Sequence, residues 1–299
     1  MMINQKIKIA FFGSSDFSVI VLDELKKNGI LPELVVTTPD KPQGRKMILT
    51  PTPVKKWANE NSIECTEPNK LKDPAFISKI TEYNLFIVAS YGKIIPKEVI
   101  EIPEYKILNI HPSLLPKYRG SSPIQEQILN NEKEVGVTLM QIDEGMDHGA
   151  IISQKKVEIK NWPVGFKTLQ EILAKEGSNL LSLTLPDWIK GKIKTEEQDH
   201  SKATFTKKVE KKDGLIDLNN GDQFKNYLKI LAYEEWPRAF FEMQKKNDPS
   251  SLKSSDKIEE KIKVIITKAS WNNDILEILR VIPEGKKEMD YKDFLRGLK

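Results

Sequence analysis

Hydrophobic positions along this chain switch between an extended and a helical rhythm, and the switches mark its elements. Residues 6–13, Lys-Ile-Lys-Ile-Ala-Phe-Phe-Gly, form a short apolar run suited to a strand covered on both faces. Ser14, Ser15 or Asp16 can cap the helix that follows. In that helix Phe17, Val21, Leu22 and Leu25 share one face, and Gly29 marks the end. Strands are predicted again at 34–38, 85–89, 107–111, 135–142 and 149–158, with helices from about Pro53, near 123–130 and over 166–189. This alternation predicts an α/β domain with a doubly wound, mostly parallel sheet. Ligands in such sheets bind beyond the carboxyl ends of the strands.

Two stretches break the rhythm. Residues 39–53 make a long loop with four prolines, one glycine and three basic side chains. Loops of that length are usually functional or disordered. From about Ala203 the pattern turns to short mixed pieces: a helix at 223–232, then strand candidates at 238–243, 261–267 and 274–282. Residues 245–260 are polar and serine-rich, the composition of a mobile loop. Basic residues crowd the junction, at Lys190, Lys192, Lys194, Lys202, Lys207, Lys208, Lys211 and Lys212. A solvated linker and a phosphate-facing stripe both fit that run. The expected division is a first domain at 1–190, a basic linker at 191–204 and a second domain at 205–299.

Composition narrows the class. With 39% hydrophobic and 30% charged residues in 299, the chain is that of a soluble globular protein. No apolar run approaches the roughly 20 residues of a membrane helix, and strand one begins too early to leave room for a targeting peptide. Cys65 is the only cysteine, so no internal disulfide or cysteine-based zinc site can form. The three histidines, His111, His148 and His200, lack metal-ligand spacing, and no metal is expected. Gly13-Ser14-Ser15-Asp16-Phe17 lacks the glycines of a dinucleotide fingerprint.

Chemistry concentrates in residues 109–116, Asn-Ile-His-Pro-Ser-Leu-Leu-Pro. Asn109 and His111 lie two apart in a predicted strand, so they share a face. Downstream, Asp147 sits in Asp143-Glu144-Gly145-Met146-Asp147-His148-Gly149, between two strand-like runs. An amide that donates to a developing oxyanion, an imidazole, and a carboxylate that orients it suit attack at a carbonyl carbon. Asn109 and His111 alone would fit a hydrogen-bonded strand end equally well; Asp147 favours the chemical reading.

The joined pattern Asn-x-His-Pro-Ser-Leu-Leu-Pro and Asp-x-Gly-x-Asp-x-Gly resembles the folate-dependent formyltransferases, which move a formyl group from 10-formyltetrahydrofolate to an amine. Three further stretches resemble the branch of that family whose acceptor is methionyl-tRNA. They are Phe12-Gly13-Ser14-Ser15-Asp16-Phe17, the 39–55 loop with its Pro-Asp-Lys-Pro-x-Gly-Arg, and Glu235-Trp236-Pro237-Arg238-Ala239 with residues 283–289. The resemblance covers nearly the whole chain. It implies Asn109, His111 and Asp147 as the catalytic set. It implies folate contact at Ser90, Tyr91, Gly92 and Ile94, at Gln141, Ile142 and Asp143, and at Ser113, Leu114, Leu115 and Pro116 beside the formyl group. For tRNA it implies Arg45 first, at a glycine-flanked loop tip, then Lys46, Lys41, Lys207 and Lys208. The second domain would be a small OB-like β-barrel, reduced because 266–275 leaves no room for an extra strand pair. A cytoplasmic monomer without membrane contact, acting on methionyl-initiator tRNA, is the resulting expectation. Acceptors such as an amino sugar nucleotide or glycinamide ribonucleotide, a formylfolate hydrolase, and an RNA-binding protein on an inactive domain remain alternatives.

Overall fold

The computed structural model describes residues 7–44, 46–219, 221–244 and 261–298. They fall into two compact units. The first comprises Met1–Pro123, Glu134–Ile159 and Gln170–Lys207; the second comprises Ile124–Lys133, Lys160–Leu169 and Lys208–Lys299.

In chain order the elements up to residue 207 are β1 (Ile9–Gly13), α1 (Asp16–Lys27), β2 (Leu34–Val36), β3 (Lys41–Gln43), β4 (Ile48–Thr50), α2 (Pro53–Glu60), β5 (Glu64–Thr66), α3 (Pro74–Ile80), β6 (Leu85–Ala89), α4 (Lys97–Ile100), β7 (Ile107–His111), β8 (Arg119–Gly120), α5 (Pro123–Leu129), β9 (Val135–Gln141), β10 (Ile151–Val157), α6 (Phe166–Ile189) and β11 (Phe205–Thr206). Seven strands form one sheet in the order β10-β9-β7-β6-β1-β2-β5. The pairs from β5 across to β7 are parallel, and β9 and β10 close that side antiparallel. The sheet is therefore doubly wound and mostly parallel. Its central strands are buried on both faces, with Ala10, Phe12, Phe86 and Val88 in one apolar layer and Phe11, Val35, Ile87 and Leu108 also enclosed. Strands covered on both sides must be apolar throughout, which is why they were legible as unbroken runs.

Local chemistry sets the helix starts. Ser15 caps α1, its hydroxyl accepting from the Ser18 amide, and Phe17, Val21, Leu22 and Leu25 are all buried. Thr52 caps α2 in the same way ahead of a first-turn proline. Strand order reverses between β1 and β6, the crevice where such folds bind ligands. There Ser14 N donates to the Ser90 carbonyl at 3.2 Å, and Ser14 Oγ donates to the Tyr91 carbonyl at 3.2 Å. The loop after β6 is thus tied to the end of β1.

The 39–53 stretch is not a structureless loop. It holds the antiparallel hairpin β3–β4. At its base Lys55 Nζ donates to both Asp40 oxygens at 3.0 Å and pairs with Glu67 at 2.6 Å. The Lys55 contact holds the Asp40 carboxyl below its ordinary range, while Glu67 and then Asp40 hold Lys55 above its own. Cys65 on β5 is half-buried, and desolvation pushes its thiol up to about 11, which makes it a packing residue.

Residues 191–204, expected as a linker, pack within the first unit. Glu196 bridges Ile151 with reciprocal backbone bonds of 2.8 Å, and Arg119 N donates to the Thr204 carbonyl at 2.8 Å. Just beyond, β11 pairs in parallel with β8.

In the second unit, α7 (Gln223–Ala232) precedes β12 (Phe240–Gln244), β13 (Lys261–Asn272), β14 (Ile275–Pro283), β15 (Met289–Asp290) and α8 (Tyr291–Arg296). The strands make a four-stranded antiparallel sheet in chain order. Its core includes Ile216, Ile230, Phe241, Val264, Ile266, Val281 and Phe294. The strand predicted at 261–267 runs on to Asn272, because a two-residue turn follows in which Asn273 and Asp274 have φ of 50° and 60°. Residues 266–275 are thus consumed by one long hairpin. The 245–260 segment read as a mobile loop lies outside the described residues. Among the described residues no helix is long and apolar enough to cross a membrane, and no group of three or more potential ligands could hold a metal ion.

Candidate active site

Strand β7 delivers Asn109 and His111 to one face at its carboxyl end, as period-two geometry requires. Both are buried. Asp147 reaches them from the loop between β9 and β10. Asn109 Nδ2 donates to Asp147 Oδ1 at 3.5 Å, and His111 Nδ1 lies 3.6 Å from the same oxygen. The three predicted side chains therefore meet at one carboxylate oxygen.

The histidine's orientation follows from its other nitrogen. His111 Nε2 is 3.0 Å from the Tyr118 carbonyl. A carbonyl only accepts, so Nε2 carries hydrogen and Nδ1 is the nitrogen that faces Asp147. The 3.6 Å separation between His111 Nδ1 and Asp147 Oδ1 is longer than a hydrogen bond. The shortest bond to the carboxylate is instead from the backbone: Gly120 N donates to Asp147 Oδ2 at 2.7 Å. The Asp147 side chain remains 19% exposed, enough for a substrate to reach.

Two glycines permit this. Gly120 has φ of 112°, and a β-carbon there would stand 2.8 Å from Thr206 Oγ1 and 2.9 Å from the Thr206 carbonyl. At Gly149 a β-carbon would run into the Gln141 carbonyl. Asp147 itself has φ of 47°, a left-handed conformation that costs a non-glycine residue roughly 1–2 kcal/mol. Such outliers persist where surrounding contacts enforce them. Here Gln198 Nε2 donates to the carbonyls of Asp147 at 3.0 Å and Gly149 at 2.7 Å.

The predicted folate residues divide. Ser90, with φ of 50°, and Gly92, with φ of 77°, are exposed in the loop after β6, beside Ile94, which is 89% exposed. Tyr91 turns inward, edge-on to Phe12 at 5.4 Å. Burial raises its phenol well above the usual range. Gln141, the last residue of β9, and Ile142 and Asp143 in the loop after it are partly exposed. The Asp143 carboxylate is engaged within that loop, by Gly145 N at 2.9 Å and His148 Nδ1 at 2.6 Å. Ser113 and Leu115 are buried, by contrast. Ser113 Oγ donates to the Lys117 carbonyl at 2.7 Å, and Leu115 N donates to Thr138 Oγ1 at 3.0 Å. Leu114 and Pro116 between and after them are half-exposed. His148 stacks on His200, with ring centroids 4.1 Å apart and planes 7° from parallel.

Of the residues predicted to meet tRNA, Lys41 and Lys46 are exposed on the β3–β4 hairpin, and Lys207 and Lys208 are exposed after β11. Arg45 lies outside the described residues. Sequence reasoning missed Tyr118, Arg119, Gly120, Gln198 and His200. The Tyr-Arg-Gly triplet at 118–120, one residue beyond Pro116, was a usable signal. Gln198, in a run of charged residues, carried none.

The chain is similar to known proteins over nearly its whole length. The family model described as formyl transferase matches residues 6–185. A methionyl-tRNA formyltransferase of Bacillus velezensis is 37% identical, over 97% of this chain and 94% of the relative. Among solved structures, a methionyl-tRNA formyltransferase from Clostridium thermocellum superposes with a TM-score of 0.56 at 17% identity, covering 95% of this chain and 100% of that one. An N-formyltransferase from Helicobacter canadensis, in complex with folinic acid and dTDP-3-aminofucose, superposes with a TM-score of 0.56 at 22% identity, over 76% of this chain and 81% of that one.

Proposed function

The chain belongs to the formyl transferase family, among the methionyl-tRNA formyltransferases, and from that premise we propose how its site works. Formyl transfer to methionyl-tRNA is its activity. The donor in this reading is 10-formyltetrahydrofolate, and the acceptor is the α-amine of methionine esterified to initiator tRNA. The observation that carries the reading is the convergence of Asn109, His111 and the Gly120 amide on the Asp147 carboxylate, on a chain related over nearly its full length to enzymes of that name.

The amine attacks the formyl carbon and charge builds on the formyl oxygen. Asn109 Nδ2 has two hydrogens, one facing Asp147 and one for that oxygen. His111, when protonated at Nδ1, is the second donor. Asp147 takes the proton that the attacking amine must lose, directly or through one water. The tetrahedral intermediate then collapses, and the proton held by Asp147 passes, directly or through the same water, to the folate nitrogen as its bond to the formyl carbon breaks. No covalent enzyme intermediate is required.

The pterin is assigned to the loops after β6 and β9. An exposed aliphatic side chain such as Ile94, beside open backbone at Gly92, is what an aromatic ring with amide edges would cover. We assign the chemistry to residues 1–190 and a share of tRNA binding to 205–299, with Arg45, Lys46, Lys41, Lys207 and Lys208 as phosphate contacts. The proposed setting is a cytoplasmic monomer. An acceptor panel tests this: with 10-formyltetrahydrofolate as donor, methionyl-initiator tRNA should be formylated while an amino sugar nucleotide and glycinamide ribonucleotide are not. Turnover with a small amine and none with tRNA would overturn the assignment.

A further inference from the structure

Beneath the Asp147 loop lies a set of buried polar contacts that the transfer chemistry does not itself require. Gln198 Nε2 spends one hydrogen on the Asp147 carbonyl at 3.0 Å and the other on the Gly149 carbonyl at 2.7 Å. Gln198 Oε1 accepts twice from Arg119, at 3.1 Å from Nε and 2.6 Å from Nη2. The amide has one workable orientation. Flipped, it would set its oxygen against two carbonyls and its NH₂ against a guanidinium. Arg119 Nη2 also donates to His200 Nδ1 at 2.8 Å, and the guanidinium carbon lies 6.0 Å from the centre of the Phe205 ring. Arg119 and Gln198 are both buried.

We propose that Gln198 and Arg119 are positioning residues for formyl transfer, fixing the Asp147 carboxylate by clamping the backbone that leaves it, at the carbonyls of Asp147 and Gly149. The inference rests on the reading of Asp147 as catalytic. Three features argue for it. Asp147 lies outside any helix or strand, and Gly145, Met146 and His148 around it are exposed, so the loop draws little packing from that side. Its left-handed backbone needs an external restraint, and Gln198 holds the strained residue's own carbonyl and that of Gly149 two residues on. Finally, Arg119 shares β8 with Gly120, whose amide holds the carboxylate itself. Backbone and side chain of Asp147 are thus referred to one short strand. Holding a loop alone could be done by apolar packing; burying a guanidinium to aim an amide is costly unless direction matters.

The test uses the full chain and single-turnover formylation of methionyl-initiator tRNA, for Gln198→Ala, Asp147→Asn and the double variant. Misplacement by about 1 Å can cost about 10²-fold in rate. The expected result is a loss of that order in Gln198→Ala, read on the folded fraction, with unchanged KM for folate and no further loss when it is added to Asp147→Asn. Gln198→Glu keeps the acceptor for Arg119 but loses both donors, so it should fold and show the same rate defect even where the alanine variant does not fold. If Asp147→Asn collapses the rate but neither Gln198 variant does, the clamp is wrong and the catalytic reading stands. The clamp also fails if the Gln198 loss is undiminished in the Asp147→Asn background. If Asp147→Asn keeps the wild-type rate, the catalytic reading itself fails, and the clamp with it.

Discussion

Gly120 bears two demands at once: a φ of 112° and a Thr206 neighbour that leaves no room for a β-carbon. Its amide also holds Asp147 Oδ2. Gly120→Ala should therefore lower stability by about 1–3 kcal/mol, read by urea denaturation, and slow formyl transfer beyond what the unfolded fraction accounts for. A variant with wild-type stability and rate would remove this contact from the account. At this scale the sequence was legible where chemistry and periodicity coincide. Asn109 and His111 share a strand face, and Asp147 stands in a glycine-flanked loop. Gln198 was not legible, because its role is set by long-range neighbours, 51 residues away at Asp147 and 79 at Arg119.

Thr138 on β9 joins the sheet to the loop that follows β7. Its buried hydroxyl donates to the Ser113 carbonyl at 2.6 Å and accepts from Leu115 N at 3.0 Å and Gln154 Nε2 at 2.8 Å. Valine has the same shape and no hydroxyl, so Thr138→Val leaves these groups unpaired. The expected cost is about 2–3 kcal/mol, measured by chemical denaturation; a change under about 0.5 kcal/mol, the size of an ordinary surface substitution, would show that the hydroxyl is dispensable. Elements of this kind were foreseen where burial imposes a pattern. The runs at β6 and β7 and the helix α6 carry unbroken apolar or amphipathic signals. The hairpin β3–β4 and the pair β8·β11 did not, because strands of two or three residues give too few positions for a period to show. Beta structure within the 39–53 loop was masked by its prolines, which point to a turn rather than a ladder.

Across the whole molecule the net charge is only +4, so tRNA recognition must come from local groups of lysines rather than a global field. Binding through phosphates releases counterions. The KM for methionyl-initiator tRNA should rise steeply with salt while the KM for folate does not, and Lys46→Gln should reduce the logarithmic salt slope by about one. A slope unchanged by Lys46→Gln would remove that lysine from the interface. The compositional shift near residue 203 was legible, but the grouping of residues 124–133 and 160–169 with 208–299 was not. The packing of 191–204 into the first unit was not, since its basic side chains said nothing about where its backbone bonds would go. The most direct measurement of the central claim is formyl transfer from 10-formyltetrahydrofolate to methionyl-initiator tRNA, wild type beside Asp147→Asn. The account predicts turnover by the wild type and a loss of about 10²-fold or more in the variant. Equal turnover in both, or none in either with folate still bound, would contradict it.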